Sequence, residues 1–308
     1  MKKAIVVGGA GFVGSAVVRE LIARGVETWA VVRPGFGVKK ANHRLDGLNV
    51  HIIECDLKNI KNMTDIFTDS PVDVWYQFAW DGLFNGPLLD YTTQIMNVKY
   101  AMDAVETAAK LDCRKFIGAG SISQYELERC RSQVDRRDKH QVYKAAKAAC
   151  EYMGLSVAAK NGISFIWPII TNIFGPGENS PRLINTMIRN LIQGKRQSLS
   201  EGNQYYDFIY ISDAAAAFVD IGESGKTAGR YVIGSGQAQP LKNFLFQLRN
   251  IVSPNAELGF GEMEFNGIYL PKQCYDITEL TDDTGFMPKV VFAEGIKKTA
   301  EWIRKELV

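Results

Sequence analysis

The chain has 308 residues, of which 46% are hydrophobic and 23% are charged, which is typical of a globular protein with one large domain or a large and a small one. Its net charge of +2 gives no bulk electrostatic reason to expect a nucleic acid or an anionic membrane as partner. Its 5 cysteines are scattered, without zinc-type spacing, so we expect reduced core thiols and no metal site.

A glycine-rich stretch separates the first predicted strand from the first predicted helix. Ala4 to Val7 predicts a short buried strand, and apolar spacing through Ser15 to Arg24 predicts an amphipathic helix. Between them, Gly8 suits a tight turn, Gly11 allows a pyrophosphate close to the backbone, and Gly14 allows the helix to pack on the strand. With Phe12 and Val13 at the helix start, the stretch predicts a dinucleotide phosphate site, and a tight turn without a ligand is the alternative.

The residue after the second predicted strand bears on the choice of dinucleotide. The strand Thr28 to Val32 is followed by Arg33 and no acid. An acid there favours NAD through the ribose 2′-hydroxyl, whereas an Arg pairs with the 2′-phosphate of NADP. We therefore predict NADP(H), with NAD possible, and a solvated Arg33 is the alternative. Lys39, Lys40 and Arg44 are candidates to reinforce phosphate binding.

Further cofactor contacts are predicted at the ends of the next two strands. After the strand Val50 to Glu54, Asp56 is a candidate to accept the adenine amino group, with Leu57 against the ring, or Asp56 caps the next turn. A helix is predicted over Lys58 to Thr68. The strand Val72 to Phe78 places Ala79 beneath the nicotinamide ribose, and Trp80 opens a loop expected to line the substrate pocket.

Strands and helices continue to alternate, which predicts an α/β fold with a doubly wound parallel sheet. Tyr91 to Leu111 has helical spacing, with an apolar stripe that includes Ile95, and it contains Asn97, whose amide needs partners. The fifth strand, Lys115 to Ala119, leads into Ser121. Because ligands bind at the carboxyl ends of such strands, Ser121 belongs at the same edge as the glycines.

Tyr143 and Lys147 are four residues apart on a predicted helix and therefore share a face. A phenol with a pKa near ~10 is a poor proton donor or acceptor at neutral pH unless a cation favours its phenolate. A Lys ammonium one turn away supplies that cation, and Ser121 is placed to hydrogen-bond a substrate oxygen. The three residues predict proton transfer coupled to hydride transfer at a nicotinamide.

Nearly the whole chain resembles the extended short-chain dehydrogenase/reductase family of nucleotide-sugar epimerases, dehydratases and reductases. The resemblance is carried by the segments Gly8–Gly14, Asp56-Leu57, Asn97, Ser121 with Tyr125, Tyr143 with Lys147, Asn172–Gly177, Asp207–Asp213 and Gly285–Lys289. It implies Ser121, Tyr143 and Lys147 as a catalytic triad, Asn97 as a helper through water, and Ser123 as a second hydroxyl. It also implies a dinucleotide domain over residues 1–170 and a mainly substrate-binding domain over residues 171–308, with some segments returning to the first.

In the C-terminal half, the resemblance implies Asn172, Tyr206 and Lys272 as substrate contacts. The family's usual diphosphate-binding Arg is replaced by Tyr206, and a second one by the segment that holds Lys272, which lacks the bidentate fork of Arg. Arg182, Lys195 or Arg196 are alternative sources of charge. A strand is predicted over Gly162 to Ile170, a helix over Ser180 to Gln193, and a polar tract over Gly194 to Tyr206.

Three functions are compatible with this sequence. The first is an NADP(H)-dependent reductase of a nucleotide-activated 4-keto-6-deoxy sugar, in surface polysaccharide biosynthesis. The second is an NAD-dependent nucleotide-sugar 4-epimerase; a 4,6-dehydratase is disfavoured because Ile122 and Ser123 provide no acid. The third is a non-catalytic NADP-sensing regulator. We expect a cytoplasmic protein, since no signal peptide or membrane-length apolar run is present. The resemblance implies a homodimer formed through the two long helices over Tyr91 to Leu111 and Tyr143 to Lys160.

Overall fold

The computed structural model of the protein describes residues 1–35, 43–83, 86–130 and 140–307. Lys39 and Lys40, proposed above as phosphate contacts, lie outside these ranges. The chain forms two compact units. The first contains residues 1–170, 215–231 and 278–286, and the second contains residues 171–214, 232–277 and 287–308.

A six-stranded parallel sheet forms the centre of the first unit. Its strands are β1 (Lys3–Val7), β2 (Glu27–Val32), β3 (His51–Glu54), β4 (Val74–Gln77), β5 (Lys115–Ile117) and β6 (Ser164–Ile166). Their order in the sheet is β3-β2-β1-β4-β5-β6, so the direction of winding reverses beside β1. In doubly wound sheets ligands bind at this reversal, outside the carboxyl ends of the strands. The predicted fold class is confirmed.

The helices of the first unit cover the sheet and complete its core. Those in its first segment are α1 (Phe12–Ala23), α2 (Met63–Ile66), α3 (Gly86–Leu89), α4 (Tyr91–Lys110), α5 (Ser123–Cys130) and α6 (Gln141–Asn161). Ile5, Trp75 and Phe116 on the central strands are fully buried, as expected of parallel strands covered on both faces. Small buried residues on α4 and α6, such as Ala104 and Ala146, belong to the same hydrophobic core.

The second unit is built from short strand pairs and three amphipathic helices. A strand β7 (Ile169–Ile170) ends the first segment of the first unit, and the second unit then contains β8 (Asn172–Phe174), β9 (Gln197–Leu199), β10 (Tyr205–Tyr206), β11 (Phe208–Tyr210), β12 (Val232–Ile233), β13 (Gln239–Pro240) and β14 (Leu258–Phe260). β8 pairs with β11 and β9 with β14 in parallel, whereas β10 and β13 are antiparallel. The remaining helices of the chain are α7 (Leu183–Ile192), α8 (Ile211–Ser224), α9 (Leu241–Val252), α10 (Thr278–Thr284) and α11 (Phe292–Glu306).

Lys115 fixes the returning segment of the first unit. Its ammonium donates to the carbonyl oxygens of Ile221 at 3.1 Å, Gly222 at 2.9 Å and Gly225 at 2.9 Å. A cation at the C-terminal end of α8 hydrogen-bonds carbonyl oxygens that have no partner within the helix. It also interacts favourably with the negative end of the helix dipole. Burial lowers the pKa of Lys115, which is the expected effect of removing an ammonium group from water.

Two predicted elements were wrong in extent. The helix expected over Lys58 to Thr68 is a 3₁₀ helix (Leu57–Asn62) followed by the single turn α2, because Asn59 leaves helical geometry. The strand expected over Gly162 to Ile170 is interrupted at Trp167-Pro168, because proline provides no N–H for a ladder.

Two further findings concern exposure and long-range pairing. The polar tract Gly194 to Tyr206 contains β9 and β10, whose partners β14 and β13 lie far away in sequence. Ile95, placed on the buried stripe of α4, is 60% exposed. Among the described residues, no helix combines the length and the apolar character required to cross a bilayer.

Candidate active site

The turn after β1, residues 8–14, presents bare backbone and is called the glycine turn below. Gly8 has a φ of +80°, and a Cβ there would lie 2.8 Å from the Ala79 nitrogen. A Cβ on Gly14 would lie 2.2 Å from the Gly8 carbonyl oxygen, so a side chain at Gly14 would force the turn apart. Gly11 is exposed and stands immediately before α1. Gly8 and Gly14 therefore require glycine for steric reasons, and the close approach of a pyrophosphate to Gly11 stays a prediction.

The start of α1 fits the pyrophosphate of a dinucleotide. Gly11 has no side chain with which to cap the helix, and the first turn carries no acidic residue. The N–H groups of Phe12, Val13 and Gly14 belong to the first turn, where a helix offers no internal acceptors. These N–H groups form the positive end of the helix dipole, which favours a bound anion. No carboxylate in that turn would repel the anion.

Arg33 and Asp81 form an ion pair at the edge of the glycine turn. Arg33 follows β2 and its side chain is 67% exposed, whereas the Asp81 side chain is 38% exposed. Asp56 accepts a hydrogen bond from the Lys58 nitrogen at 3.0 Å, so it caps the following 3₁₀ helix. Leu57 is buried in the hydrophobic core, with 6% of its surface exposed.

Lys147 is a buried cation beside Tyr143. It is 5% exposed, and its ammonium donates to the Ala119 carbonyl oxygen at 2.8 Å. The same ammonium lies 3.5 Å from the centroid of the Trp80 ring and 5.8 Å from that of Tyr143. Trp80 in turn contacts Tyr143 edge-on, with ring centroids 6.1 Å apart. Tyr143, Lys147 and Trp80 are called the Tyr–Lys cluster below.

Trp80 is held by α4 and is itself 8% exposed. Its indole N–H donates to the Gln94 oxygen at 2.9 Å, and the Gln94 amide donates to the Pro87 carbonyl at 3.0 Å. Asn97 is 1% exposed and holds the next residue of the loop: its oxygen accepts from the Asp81 nitrogen at 2.9 Å and its amide donates to the Asp81 carbonyl at 2.8 Å. The structure thus makes Asn97 an anchor of the loop after β4, and its role as a helper through water stays a prediction.

Ser121 lies two residues after the Ala119 carbonyl that binds Lys147. Its hydroxyl oxygen accepts from the Ser123 hydroxyl at 2.8 Å and from the Ser123 nitrogen at 3.3 Å. The Gln124 side-chain oxygen accepts from the Ser121 nitrogen at 3.0 Å and from the Trp167 indole at 3.2 Å. The Gln124 amide donates to Glu151 at 2.8 Å, which joins the Ser121 turn to α6.

A second link between α5 and α6 is the ion pair of Glu126 and Lys144, 2.6 Å apart, in which the Lys144 side chain is only 6% exposed. Burial raises the pKa of the Glu151 carboxyl, and the nearby Arg230 and the Gln124 hydrogen bond oppose that rise. The turn that carries Ser121 is therefore fastened to the helix of Tyr143 and Lys147 by buried polar contacts.

The predicted substrate residues of the second unit have contacts within that unit. The Asn172 amide donates to the Asp207 carbonyl at 3.0 Å, and Tyr206 stacks on Phe208 with centroids 5.8 Å apart. Lys272 is exposed at the start of a 3₁₀ helix (Lys272–Tyr275). Arg196, offered above as an alternative charge, forms a bidentate ion pair with Glu262.

Sequence reasoning missed the residues that support the site. Gln94, Gln124, Glu151 and Trp167 are buried or half-buried and contact the cluster or the Ser121 turn. One signal was available for Glu151, because it continues the spacing of four residues that runs from Tyr143 through Lys147. Within the described part of the chain, no group of three His, Cys, Asp or Glu side chains has the arrangement of a metal site.

Comparison with known proteins bears on the family and the fold of this chain. The sequence model of the NAD dependent epimerase/dehydratase family matches residues 4–234. The chain is 24% identical to mouse dTDP-D-glucose 4,6-dehydratase over 321 residues, which cover 99% of this chain and 89% of the mouse enzyme. It is 22% identical to the dTDP-glucose 4,6-dehydratase of Shigella flexneri over 332 residues, which cover 97% of this chain and 92% of that one.

Solved structures share the fold over the full chain. UDP-glucose 4-epimerase of Thermotoga maritima, crystallised with UDP-glucose, superposes with a TM-score of 0.80 at 21% identity and covers 99% of this chain and 100% of that one. The Bordetella bronchiseptica enzyme WbmF in complex with NADH gives a TM-score of 0.78 at 20% identity and covers 99% of this chain and 93% of that one. With the family match over most of its length, this chain belongs to the NAD-dependent epimerase/dehydratase family, whose members are short-chain dehydrogenase/reductase enzymes.

Proposed function

We propose that this enzyme performs hydride transfer at C4 of a nucleotide-linked sugar, and specifically that it reduces a 4-keto-6-deoxy sugar with NADP(H). The observation that carries the proposal is the buried Lys147 ammonium, held on the Ala119 carbonyl two residues before Ser121 and beside Tyr143. The same sheet edge carries the glycine turn, which fits a dinucleotide. A bound nicotinamide dinucleotide supplies the hydride.

The chain's own residues handle the proton and the substrate oxygen. Tyr143 donates its phenolic proton to the C4 oxygen, and the Lys147 ammonium stabilises the phenolate that remains. Ser121 accepts from Ser123, so its own hydroxyl proton is available to the same C4 oxygen. The Ala119 carbonyl and the Trp80 ring hold the ammonium close to the phenol, which preserves this geometry between turnovers.

Arg33 supports NADP(H), because a guanidinium and no acid follows β2. The second candidate is an NAD-dependent 4-epimerase, in which Tyr143 removes and then returns a proton. It is supported by the fold neighbours, one an enzyme bound to NADH and another a UDP-glucose 4-epimerase. A 4,6-dehydratase is named among the sequence relatives, but it needs an acid to release water, and Ile122 and Ser123 provide none. An NADP-sensing regulator without catalysis has no use for the Tyr–Lys cluster.

The predicted substrate contacts of each unit are kept as proposals. In the first unit, Trp80, Ser121 and Ser123 contact the sugar ring. In the second unit, Asn172, Tyr206 and Lys272 contact the nucleotide, with the Tyr206 ring replacing an Arg at that position. We propose a product destined for a surface polysaccharide and an enzyme that works in the cytoplasm.

We also propose a homodimer formed through the outer faces of α4 and α6. These helices expose the large apolar side chains of Tyr91 (67%), Ile95 (60%), Tyr152 (62%) and Met153 (48%), which a dimer interface would remove from water. Sedimentation of the wild type against Tyr152→Glu tests this: a dimer that becomes a monomer supports the proposal, and a wild-type monomer contradicts it.

The experiment that tests the function supplies purified enzyme with a dTDP- or UDP-linked 4-keto-6-deoxy sugar and either NADPH or NADH. Stoichiometric oxidation of NADPH, absent in Tyr143→Phe, supports the reductase. Interconversion of C4 epimers of a nucleotide sugar without net cofactor change, measured by NMR, supports the epimerase instead. Activity that persists in Tyr143→Phe contradicts both.

A further inference from the structure

The ion pair between Arg33 and Asp81 connects the two sides of the glycine turn. Arg33 follows β2, and Asp81 lies in the loop after β4; both strands are direct neighbours of β1. The turn itself touches both sides, since the Gly8 nitrogen donates to the Val31 carbonyl at 3.0 Å and the Cβ position of Gly8 lies 2.8 Å from the Ala79 nitrogen. A dinucleotide laid along this turn therefore passes the pair.

Asp81 is the fixed partner of the pair. Its backbone N–H and carbonyl are both bound by the buried Asn97 amide, at 2.9 and 2.8 Å. Trp80, the residue before it, is held by Gln94, and the Gln94 amide also lies 3.5 Å from the Gly82 carbonyl. Arg33 is two-thirds exposed, so the guanidinium is the member that moves when the pair opens.

We propose that Asp81 is a selectivity residue for the dinucleotide, because its carboxylate competes with a ribose 2′-phosphate for the Arg33 guanidinium. A guanidinium binds a carboxylate and a phosphate through the same N–H groups. NADPH must take Arg33 away from Asp81, and its 2′-phosphate then lies near an uncompensated carboxylate. NADH has no 2′-phosphate, so it leaves the pair in place.

The competition limits what Arg33 alone predicts. The chain carries Arg33 where NADP-binding chains use a cation, yet the Asp81 carboxylate already pairs with that guanidinium. With Asp81 occupying Arg33, the preference for the 2′-phosphate is reduced without being lost. A change at Asp81 then shifts selectivity without touching Tyr143, Lys147 or Ser121.

The test measures dissociation constants of NADPH and NADH by quenching of intrinsic fluorescence. The proteins are the wild type, Asp81→Asn, Arg33→Ala, the double variant and the control Asp69→Asn, which removes an exposed carboxylate on another loop. Asp81→Asn keeps the size of the side chain and the backbone contacts to Asn97, and Asp81→Ser provides a second variant should the first unfold. Thermal unfolding checks that each protein is folded.

The expected result is an NADPH affinity about fivefold higher in Asp81→Asn, on the scale of an exposed ion pair, with NADH affinity within about twofold of the wild type. The gain disappears when Arg33 is Ala, because the two changes act on one interaction. An equal shift for NADPH and NADH, an unchanged NADPH affinity, or a gain that persists without Arg33 overturns the proposal.

The inference rests on the dinucleotide site of the proposed function and is independent of its sugar substrate. If no nucleotide sugar reacts, the proposed function is wrong, but the dissociation constants predicted for NADPH and NADH are still expected. Equal NADPH affinity of the wild type and Asp81→Asn contradicts the inference and has no bearing on the proposed function. A wild type that binds neither dinucleotide overturns both.

Discussion

The glycine turn and the Tyr–Lys cluster lie at the same edge of one sheet, but they are built from different materials. The turn is formed by backbone: Gly8 and Gly14 matter because a Cβ would collide with backbone atoms 2.8 and 2.2 Å away. The cluster is formed by buried side chains, with Lys147 enclosed by a carbonyl oxygen and the Trp80 ring. The glycine turn is therefore sensitive to added side-chain atoms, whereas the Tyr–Lys cluster is sensitive to the loss of hydrogen-bond and ring contacts.

This difference teaches where each half of the site is vulnerable. In a site formed by backbone, replacing a neighbouring side chain has little effect on ligand affinity. Adding one methyl group at a close contact displaces the main chain. In a side-chain site, each functional group depends on further groups such as Gln94 and Gln124, which never need to touch a ligand. The four changes below test that contrast, in order of decreasing expected effect.

Removal of the charge from the Tyr–Lys cluster is expected to have the largest effect. Lys147→Met fills the buried volume but leaves the Tyr143 phenolate without its cation. We expect turnover to fall by about 10²- to 10⁴-fold, the range of general acid–base contributions. The control is Lys160→Met, on the exposed last turn of the same helix, assayed with the same substrate and cofactor. Turnover of Lys147→Met within tenfold of the wild type contradicts the assignment.

Addition of one methyl group to the glycine turn tests the backbone half. In Gly14→Ala the new Cβ meets the Gly8 carbonyl at 2.2 Å, so the turn or the start of α1 must shift. We expect dinucleotide affinity to fall at least ~10-fold, or roughly 1.4 kcal/mol, measured by fluorescence titration. Gly86→Ala, where a Cβ meets nothing within 4 Å, is the matched control. Wild-type affinity in Gly14→Ala shows that the turn does not bind the dinucleotide.

Loss of Gln124 tests the supporting contacts of the cluster. Gln124→Leu leaves the Ser121 nitrogen, the Trp167 indole and Glu151 without a shared partner, a loss of about 1–3 kcal/mol for buried polar groups. We expect kcat to fall about tenfold with a smaller change in KM, since Ser121 hydrogen-bonds the reacting C4 oxygen while the other sugar and nucleotide contacts stay in place. Gln193→Leu, at an exposed helix end, controls for the change of residue type. A rise in KM with normal kcat places Gln124 in ligand binding instead.

The pH dependence of stability tests the burial of Glu151, and its effect is the smallest. Burial raises the folded-state pKa of this carboxyl above that of the unfolded chain, so the native state is favoured when Glu151 is protonated. That contribution is complete below the unfolded value and is lost as the pH rises through the folded one. Glu151→Gln keeps an acceptor for Gln124 and never ionises. We expect its melting temperature to exceed that of the wild type at pH 7 by a few degrees.

The control for this prediction is the same comparison at acid pH. As the pH falls toward about 4, the wild-type carboxyl becomes protonated and the two melting temperatures converge. A difference that stays constant from pH 4 to pH 7 shows that Glu151 titrates normally, and the buried link between α5 and α6 then makes no ionic contribution. Glu301→Gln, which removes an exposed acid from α11, corrects for the overall change of charge.

The sequence was informative where the residues of a short stretch determine its structure without distant partners. The apolar run Ala4 to Val7, followed by glycine, predicted β1 and the glycine turn, and the spacing of Tyr143 and Lys147 predicted one face of α6. Local pattern was misleading where partners are distant. β9 lies in a polar tract and pairs with β14, some sixty residues later, so nothing in its own residues marks it as a strand.

Sequence alone determined the fold class and the family, because the period of apolar residues and the glycine spacing follow from local backbone geometry. Only the tertiary structure decided what surrounds the site: Trp80 over Lys147, Gln124 between Ser121 and Glu151, and Asp81 on Arg33. These contacts join residues that are 3 to 67 positions apart and depend on which strands become neighbours in the sheet. Packing of the strands brings the Asp81 carboxylate to the Arg33 guanidinium, and no local sequence motif predicts that contact.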